Sequence, residues 1–287
     1  MNSEKRRPVR HNLSILTLGL ATLALAFSQQ ILAQNPRPSL GFDRNHYPGD
    51  AALPALKQHF SFTGYWLNNP PGETTNDWQG KREILHKNKF GFLVLFNGRL
   101  DAEIIRANRR KISPAKLGKQ DAAAAILAAR REHFPDGSII FLDQEEGGRL
   151  LPEQAAYLLS WTEAIAASTY KPGIYLSGQP VEDDPGKTIT TAQDVREQIA
   201  AKHLHSVALF VYQDACPPSN GCTLNPPPIA AAGTPNIDVW QYAQSPRRPK
   251  ITHACAKTYA ANNDCVIAGV VDLDLSVAIS DDPSHGR

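Results

Sequence analysis

The chain has 287 residues, of which 42% are hydrophobic and 20% charged, a composition typical of a soluble globular protein with a substantial core. Four of its 30 basic side chains and only one of its 28 acidic ones lie in residues 1–33, so the remaining chain is nearly neutral. A near-neutral body argues against a nucleic-acid-binding surface, and the composition excludes collagen-like, coiled-coil and multi-span membrane proteins.

The first 33 residues have the pattern of an export signal. Basic residues between positions 5 and 10 precede the uncharged, mostly apolar run Leu13–Phe27, and a small residue, Ala33, follows at the expected cleavage point. Because no charge interrupts this apolar segment, an uncleaved membrane anchor is the alternative. We expect cleavage after Ala33 and an exported protein, either secreted or held in the periplasm or cell envelope.

Eight short segments rich in Val, Ile, Leu, Phe and Tyr follow the signal. Most are continuously apolar, which is typical of strands buried on both faces. The predicted strands are Leu40–Asp43, Phe62–Leu67, Phe90–Asn97, Ser138–Glu145, Gly173–Ser177, Val207–Gln213, Ile237–Tyr242 and Ala268–Leu275.

Five helices are predicted between the first six strands, and this alternation indicates a parallel sheet. The predicted helices are Asp50–Phe60, Asn76–Asn88, Gln120–His133, Pro152–Thr169 and Thr190–His205.

The last two connections break the alternation. Asp214–Asn236 contains six prolines, and Gln244–Val266 has room only for a short helix near Thr252–Tyr259. The roughly 250 residues after the signal match one TIM-type barrel. We therefore predict an α/β fold, a single (β/α) barrel with five helices and three poorly covered strands. The predicted organisation is a signal peptide at 1–33, a short linker at 34–39 and one barrel domain at 40–287.

All four cysteines lie in those two long loops, and an even number in an exported chain favours disulfides. Short separations favour Cys216–Cys222 and Cys255–Cys265, one of three possible pairings. Such bonds would hold the irregular loops in place. A zinc site of four thiolates is the alternative, although neither pair has the CxxC spacing that such sites prefer.

Carboxylates recur at the predicted C-terminal strand ends, where barrels of this kind carry their active sites. Asp143 and Glu145 are two residues apart and share one strand face, and the apolar run Ile139–Leu142 brings them to the strand end. Two nearby carboxyl groups in different surroundings suit glycoside cleavage, because one keeps its proton while the other ionises. We assign Glu145, the longer side chain, as general acid and Asp143 as the group that orients the substrate or stabilises positive charge on it. A solvated turn is the alternative for so short a motif.

Asp43 and Asp272 end the first and eighth predicted strands, which are neighbours in a closed barrel, and complete the predicted catalytic set. Their alternative roles are a salt bridge at the end of the barrel or a helix cap. Aromatic residues at other strand ends would form platforms for sugar rings, with rim packing as the alternative. The predicted substrate-binding residues are Trp66, Asn68, Asn97, Tyr175, Gln213, Trp240, Gln241 and Tyr242.

Several enzyme classes lack their sequence signature here. The nine histidines show no metal-type spacing, and no nucleophile elbow, phosphate-binding loop or dinucleotide-binding glycine pattern occurs. These observations argue against serine hydrolases, NTPases and Rossmann enzymes. We expect no metal and no cofactor.

Together these motifs resemble a known family. The segments 41–43, 141–145, 172–175, 239–242 and 271–274, in that order, resemble the strand ends of glycoside hydrolase family 25 lysozymes. Segments 41–48 and 63–72, with the fourth strand, are more similar to the glycoside-hydrolase-like domain of exported bacterial proteins. The resemblance spans nearly all of Leu40–Leu275.

This resemblance implies a (β/α)5(β)3 barrel. It also implies that Glu145 is the proton donor and that Asp143 assists the substrate's own acetamido group, with Asp43 and Asp272 lining the pocket. Arg44, Asn45 and the loop 68–71 depart from the lysozyme pattern.

The sequence thus favours an exported bacterial glycosidase acting on peptidoglycan-type or other amino-sugar polysaccharide. A non-catalytic glycan-binding envelope protein on the same scaffold is the alternative. A metal-dependent deacetylase is disfavoured because no histidine pair accompanies the acids. We expect a monomer with no nucleic-acid partner and no stable membrane span after signal cleavage.

Overall fold

The computed structural model describes residues 38–253 and 255–287. The predicted signal peptide and residues 34–37 of the predicted linker lie outside the described residues. Within the described ranges, no helix combines the length and the apolar character that crossing a membrane requires.

Eight strands close into a barrel, which confirms the predicted fold class. The barrel strands are β1 (Ser39–Asp43), β2 (Phe62–Trp66), β3 (Gly91–Asn97), β4 (Ile139–Asp143), β5 (Lys171–Ser177), β8 (Ala208–Tyr212), β9 (Val239–Ala243) and β10 (Asp274–Ala278). Around the barrel the order is β1, β10, β9, β8, β5, β4, β3, β2. A separate hairpin, β6 (Val181–Asp184) with β7 (Lys187–Ile189), was not predicted; most of its residues are exposed, so its sequence shows no apolar pattern.

Helices cover the barrel mainly over its first five strands, as predicted. They are α1 (Leu53–Lys57), α2 (Arg82–Lys87), α3 (Asp101–Arg109), α4 (Pro114–Arg131), α5 (Pro152–Ala166), α6 (Thr191–Ala201) and the short α7 (Pro249–Thr252).

Two helix predictions need correction. The sequence analysis missed α3, although its apolar residues at 104, 105 and 107 have helical spacing around the buried Ile104. α4 begins at Pro114 rather than Gln120, after Ser113, whose hydroxyl accepts a hydrogen bond from the Lys116 amide. A serine cap followed by proline is a recognisable helix start.

The eighth barrel strand runs opposite to its predicted direction. β10 is antiparallel to both β1 and β9, and it begins at Asp274 instead of spanning Ala268–Leu275. Asp274 pairs in register with Asp43, the last residue of β1. The reversed strand therefore brings its first residue to the end of the barrel that the other strands reach with their last residues.

The disulfide joins the two long loops to each other, and the predicted pairing is wrong. Cys222 is bonded to Cys265 with a Cα–Cα distance of 5.4 Å, whereas Cys216 and Cys255 are free thiols. Separation along the chain was a poor guide because the loops pack side by side; the Thr258 hydroxyl donates to the Asn220 carbonyl at 2.8 Å. This bond also overturns the alternative of a four-thiolate zinc site.

Removing the disulfide is expected to destabilise the barrel. The bond spans 43 residues, and in the chain-entropy account closing a loop of this size contributes about 2–4 kcal/mol. We expect Cys222→Ser/Cys265→Ser to lower the free energy of unfolding in urea by that amount. Cys216→Ser/Cys255→Ser is the matched control and should change it by less than about 1 kcal/mol, in line with substitutions outside the core. A larger loss in the control pair would contradict the observed connectivity.

Candidate active site

Three aspartates meet at one end of the barrel. Asp43 and Asp143 are the last residues of β1 and β4, and Asp274 is the first residue of β10. Asp43 and Asp143 are each only 6% exposed. Together with Glu145 these groups border a small cavity of about 60 Å³, called here the barrel mouth.

Burial keeps protons on these carboxyl groups. It raises the pKa of Asp43 to about 7, with a hydrogen bond from Gln241 acting in the opposite direction. The pKa of Asp143 is raised well above its ordinary range, first by burial and then by the charges of Glu145 and Asp43. Asp274 also has a raised pKa, because of burial and the charge of Asp43. Ionising all three together is costly, as expected for carboxyl groups that share one enclosed space.

Neutral side chains supply the hydrogen bonds at the mouth. The Gln241 amide nitrogen lies 3.2 Å from Asp43 Oδ2 and 3.4 Å from Asp274 Oδ2. The Tyr175 hydroxyl donates to Gln241 Oε1 at 2.7 Å and accepts from the Gln244 amide at 2.9 Å. Asp143 differs from its neighbours, because its Oδ1 is buried and has no hydrogen-bond partner.

Glu145 follows β4 at the rim of the mouth. Gln144, which separates Asp143 from Glu145, is buried, whereas Glu145 is exposed. Asp143 and Glu145 border the same two cavities. The Tyr212 hydroxyl donates to the Glu145 carbonyl at 3.0 Å and fixes the backbone there. The pKa of Glu145 is raised by desolvation, against the lowering effect of the Arg248 charge, and the charge of Glu146 raises it further.

Arg248 is a basic side chain whose charge acts on Glu145, and the sequence analysis did not identify it. Its guanidinium donates to the fully buried Asp214 at 2.6 Å and lies over the Tyr212 ring at 5.3 Å. Gln179 donates to the same Asp214 carboxylate at 2.8 Å. Arg248 is held by these contacts, so it acts on Glu145 through its field rather than through an ion pair.

Two larger cavities open from the mouth. The β2–β4 cleft, about 740 Å³, runs from Glu145 and Asp143 past Asn68, Asn97 and Arg99. The β1–β10 cleft, about 390 Å³, lies on the other side and is bordered by Arg44, Asp272 and Asp274. Glu145 and Pro71 border both clefts and the mouth. The Asn45 amide donates to the Pro71 carbonyl at 3.0 Å.

Glycines allow the close packing that places the aspartates. A Cβ atom on Gly98 would lie 2.4 Å from the Asp143 carbonyl oxygen, and one on Gly64 would lie 2.5 Å from the Asp43 Cβ. Both distances are shorter than van der Waals contact. A side chain at either position would therefore displace the strand end that carries the neighbouring aspartate.

Most of the predicted site residues are brought together. Asp43, Asp143, Glu145, Trp66, Tyr175 and Gln241 border the mouth, while Asn68 and Asn97 border the β2–β4 cleft. Asn68 and Asn97 also hold the loops, because Asn68 donates to the Asn97 carbonyl at 2.9 Å and accepts from the Asn97 amide at 2.7 Å.

Four predicted positions need correction. Asp272 lies in the β1–β10 cleft outside the mouth, and Asp274 occupies the predicted place because β10 is reversed. Trp240 and Tyr242 are fully enclosed and donate to the carbonyls of Gln213 and Thr223, so neither ring offers a face to a sugar. The Gln213 amide is buried and donates to the Gly178 carbonyl.

Other residues at the site were missed or given minor roles. Phe210 and Gln244 border the mouth, and Glu73 and Glu103 border the β2–β4 cleft. Phe210 lies inside a predicted strand, where inward-facing side chains could have been identified from alternation. The two glutamates lie in the loop after β2 and on α3, and nothing in their local sequence marks them.

The comparisons with known proteins agree with this architecture. Residues 78–218 match the family model of the Rv2525c-like, glycoside hydrolase-like domain, which confirms the resemblance found in the sequence. No curated protein matches the chain.

Solved structures show the same fold at low identity. An uncharacterized protein of B. stearothermophilus is 18% identical, with 84% of this chain and 95% of that one covered and a TM-score of 0.51. The catalytic domain of endolysin ply40 from Listeria monocytogenes bacteriophage P40 is 14% identical, with 87% and 98% covered and a TM-score of 0.48. The Mycobacterium tuberculosis Tat-secreted protein Rv2525c is 12% identical, with 85% and 95% covered and a TM-score of 0.49.

Replacing Asp43 with asparagine is expected to stabilise the protein at alkaline pH. The folded state keeps a proton on Asp43 up to about pH 7, whereas the unfolded chain releases it near pH 4, so this group's contribution to stability is lost as pH rises through that window. Asparagine needs no proton. We expect Asp43→Asn to raise the free energy of unfolding at pH 8 by about 1–4 kcal/mol, with a smaller gain at pH 4.

Urea unfolding of both proteins between pH 4 and pH 8 measures this effect. Asp50→Asn is the control, because Asp50 is exposed and the Tyr47 hydroxyl lowers its pKa. It should give no gain at pH 8. An Asp43→Asn variant with the same pH dependence as the wild type would contradict the raised pKa of Asp43.

Removing the Arg248 charge is expected to raise the pKa of Glu145. Because Arg248→Gln alone would leave Asp214 buried and unpaired, the test uses Arg248→Gln/Asp214→Asn. Carbon-13 NMR titration of the glutamate carboxyl carbons would measure the shift. Arg99→Gln/Asp121→Asn removes a similar pair from the β2–β4 cleft and should leave the Glu145 pKa within about 0.3 unit, far below the one-unit scatter that protein environments usually produce. A lower Glu145 pKa in the Arg248 variant would contradict the lowering effect that the Arg248 charge has on Glu145.

Proposed function

We propose that this chain, whose residues 78–218 match the Rv2525c-like, glycoside hydrolase-like domain, hydrolyses glycosidic bonds in amino-sugar polysaccharide. One observation carries the proposal. Buried Asp143, with an unpartnered Oδ1, and exposed Glu145 stand at the junction of two clefts, and both have raised pKa values. Proton-holding carboxyl groups of different exposure are what glycoside cleavage needs.

Glu145 acts as the general acid. Its raised pKa keeps a larger fraction protonated near neutral pH, and its exposed carboxyl can reach a glycosidic oxygen in either adjoining cleft. As the C1–O bond breaks, the Glu145 proton passes to the leaving oxygen and Glu145 becomes a carboxylate. Arg248 favours that product state, because its charge stabilises the ionised form of Glu145.

Asp143 assists the substrate's own acetamido group. The acetamido oxygen attacks C1 as the leaving group departs, and positive charge develops on the ring formed with the acetamido nitrogen. The free Oδ1 of Asp143 accepts a hydrogen bond from that N–H and so stabilises the developing positive charge. Water, deprotonated by Glu145, then adds to C1 and releases the sugar with its acetamido group restored.

Asp43 and Asp274 set the electrostatics of the mouth. Both hold protons more strongly than an exposed aspartate, and Gln241 bridges them. This arrangement limits the negative charge around Asp143 before substrate binds. Their role is to position and tune Asp143, and Trp66 and Tyr175 shape the apolar wall beside it.

Export is part of the proposal. The basic and apolar pattern of residues 1–33 supports a signal peptide, and the Cys222–Cys265 disulfide supports an oxidising compartment. A polysaccharide of the cell wall or envelope is the substrate class that such a location makes accessible.

A non-catalytic glycan-binding protein is the second candidate, and the size of the mouth favours it. A cavity of about 60 Å³ has room for a few water molecules rather than a sugar ring. In this reading the two clefts bind glycan and no bond is cleaved.

Glu145→Gln is expected to abolish hydrolysis without loss of the fold. Losing a general acid typically costs about 10²–10⁴-fold in rate. Release of reducing ends from N-acetylglucosamine oligomers and from peptidoglycan measures the effect, with circular dichroism as the check on folding. Glu83→Gln is the matched control, because Glu83 is an exposed glutamate paired with Lys87 on α2, outside the clefts.

The outcomes separate the two candidates. Hydrolysis by the wild type and by Glu83→Gln but not by Glu145→Gln supports the glycosidase. Equal hydrolysis by all three removes Glu145 as the acid. Binding of the oligomers without hydrolysis by any variant favours the non-catalytic reading.

A further inference from the structure

The β2–β4 cleft is unusually acidic for a glycan-binding surface. Its lining includes five carboxyl side chains and one basic side chain. The acids are Glu73, Glu103, Asp121, Asp143 and Glu145, and the base is Arg99.

The basic side chain is already neutralised. Arg99 Nε lies 2.7 Å from Asp121 Oδ2, and its Nη2 lies 3.0 Å from Asp121 Oδ1, which is a two-pronged ion pair. The Tyr157 hydroxyl donates to Asp121 at 2.9 Å and holds the carboxylate in place. The ion pair with Asp121 therefore weakens the attraction of Arg99 for an anionic sugar.

The remaining carboxylates are not matched by cations of the cleft. The Glu103 carboxylate accepts a hydrogen bond from the Leu100 backbone amide at 3.0 Å. The exposed His46 imidazole lies within ion-pair distance of both Glu73 and Asp77. At the inner end, Asp143 borders both the cleft and the mouth and is only 6% exposed, and its buried Oδ1 has no hydrogen-bond partner among the described residues. This orphaned acceptor independently points to a ligand with N–H donors.

Apolar stacking contributes little along this cleft. Phe96 is its one aromatic lining residue, and only 5% of Phe96 is exposed. Recognition in the cleft therefore depends on polar and charged contacts from carboxylates and from the asparagines Asn68, Asn69 and Asn97. These groups repel carboxylate-bearing glycans and attract ammonium groups.

We propose, on the basis of the proposed glycosidase function, that the β2–β4 cleft takes a hexosamine polymer in which some amino groups are free and protonated. The half-buried carboxylates of Glu73 and Glu103 face the ammonium groups of these sugars. The sugar at the mouth keeps its acetamido group, which the assisted mechanism requires. The substrate is thus a partly de-N-acetylated, cationic glycan rather than an anionic one.

Binding to the inactive Glu145→Gln variant tests this inference. The probes are fully N-acetylated and half de-N-acetylated glucosamine hexamers, measured by calorimetry at low and high salt. We expect the de-N-acetylated hexamer to bind about three- to ten-fold tighter, the size expected of two exposed ion pairs, and the preference to shrink in high salt. Galactosamine hexamers of the same acetylation distinguish the two hexosamine epimers.

Matched variants identify the groups responsible. Adding Glu73→Gln/Glu103→Gln should remove most of the preference, whereas adding Glu83→Gln should preserve it. Hexalysine serves as a polycation without sugar rings. Equal binding of the two hexamers, no binding of either epimer, or displacement by hexalysine as effective as by the cationic hexamer would each overturn the inference.

This test is independent of the hydrolysis assay. A preference for the cationic hexamer with no hydrolysis by the wild type would refute the glycosidase and retain the ligand class. Hydrolysis of N-acetylated oligomers with no preference for the cationic hexamer would retain the glycosidase and refute the cationic ligand class.

Discussion

The site depends on one constraint: several carboxyl groups share an enclosed barrel mouth, where they cannot all ionise. The reversed strand β10 creates this situation by placing Asp274 in register with Asp43, while β4 contributes Asp143 from across the barrel. Burial is the first cause of the raised pKa in each of the three, and mutual repulsion adds to it in Asp143 and Asp274. The proton that such a site holds at neutral pH is a consequence of geometry rather than of any single residue type.

The surrounding residues preserve this condition. The side chains of Gln241, Gln244 and Tyr175 form hydrogen bonds at the mouth without bringing a positive charge to it. A cation in their place would lower the pKa values of the carboxyl groups. Two of the arginines nearby are held by other partners, Arg248 by Asp214 and Arg99 by Asp121. Burying carboxyl groups that ionise in the unfolded chain reduces stability near neutral pH, a cost common at sites that keep unusual protonation states.

Part of this arrangement could be predicted from sequence. The apolar run before Asp143 identified a buried strand, but β4 ends at Asp143, so the period-two spacing does not extend to Glu145, although both side chains border the same cavities. Strand direction could not be read in this way, because parallel and antiparallel strands buried on both faces have the same apolar composition. That is why Asp272 was expected at the position that Asp274 occupies. Which face a strand aromatic takes also depends on the barrel around it, so Trp240 and Tyr242 were placed at the rim although they are enclosed.

The long loops were also hard to predict from sequence, because their contacts depend on long-range packing. Two irregular segments lie against each other, and this packing produces the Cys222–Cys265 bond and the contact between Thr258 and Asn220. Sequence separation does not predict such packing. Arg248 reaches Glu145 from the second of these loops for the same reason. The contribution of Arg248 and Gln244 from this loop was therefore missed.

Cavity size separates recognition from chemistry in the proposed mechanism. The β2–β4 cleft is roomy, whereas the mouth holds only a few waters, and Pro71 borders both. In that mechanism the mouth has to widen to admit a sugar ring, and we place the movement in the segment around Pro71, whose carbonyl accepts a side-chain hydrogen bond from Asn45. In the proposed mechanism, the binding energy of sugars in the cleft offsets the cost of opening the mouth and placing the reacting ring over Asp143. A longer glycan then raises the rate as well as the affinity. Short oligomers that fill only part of the cleft lack that source of energy, and for them the protein is a binding surface.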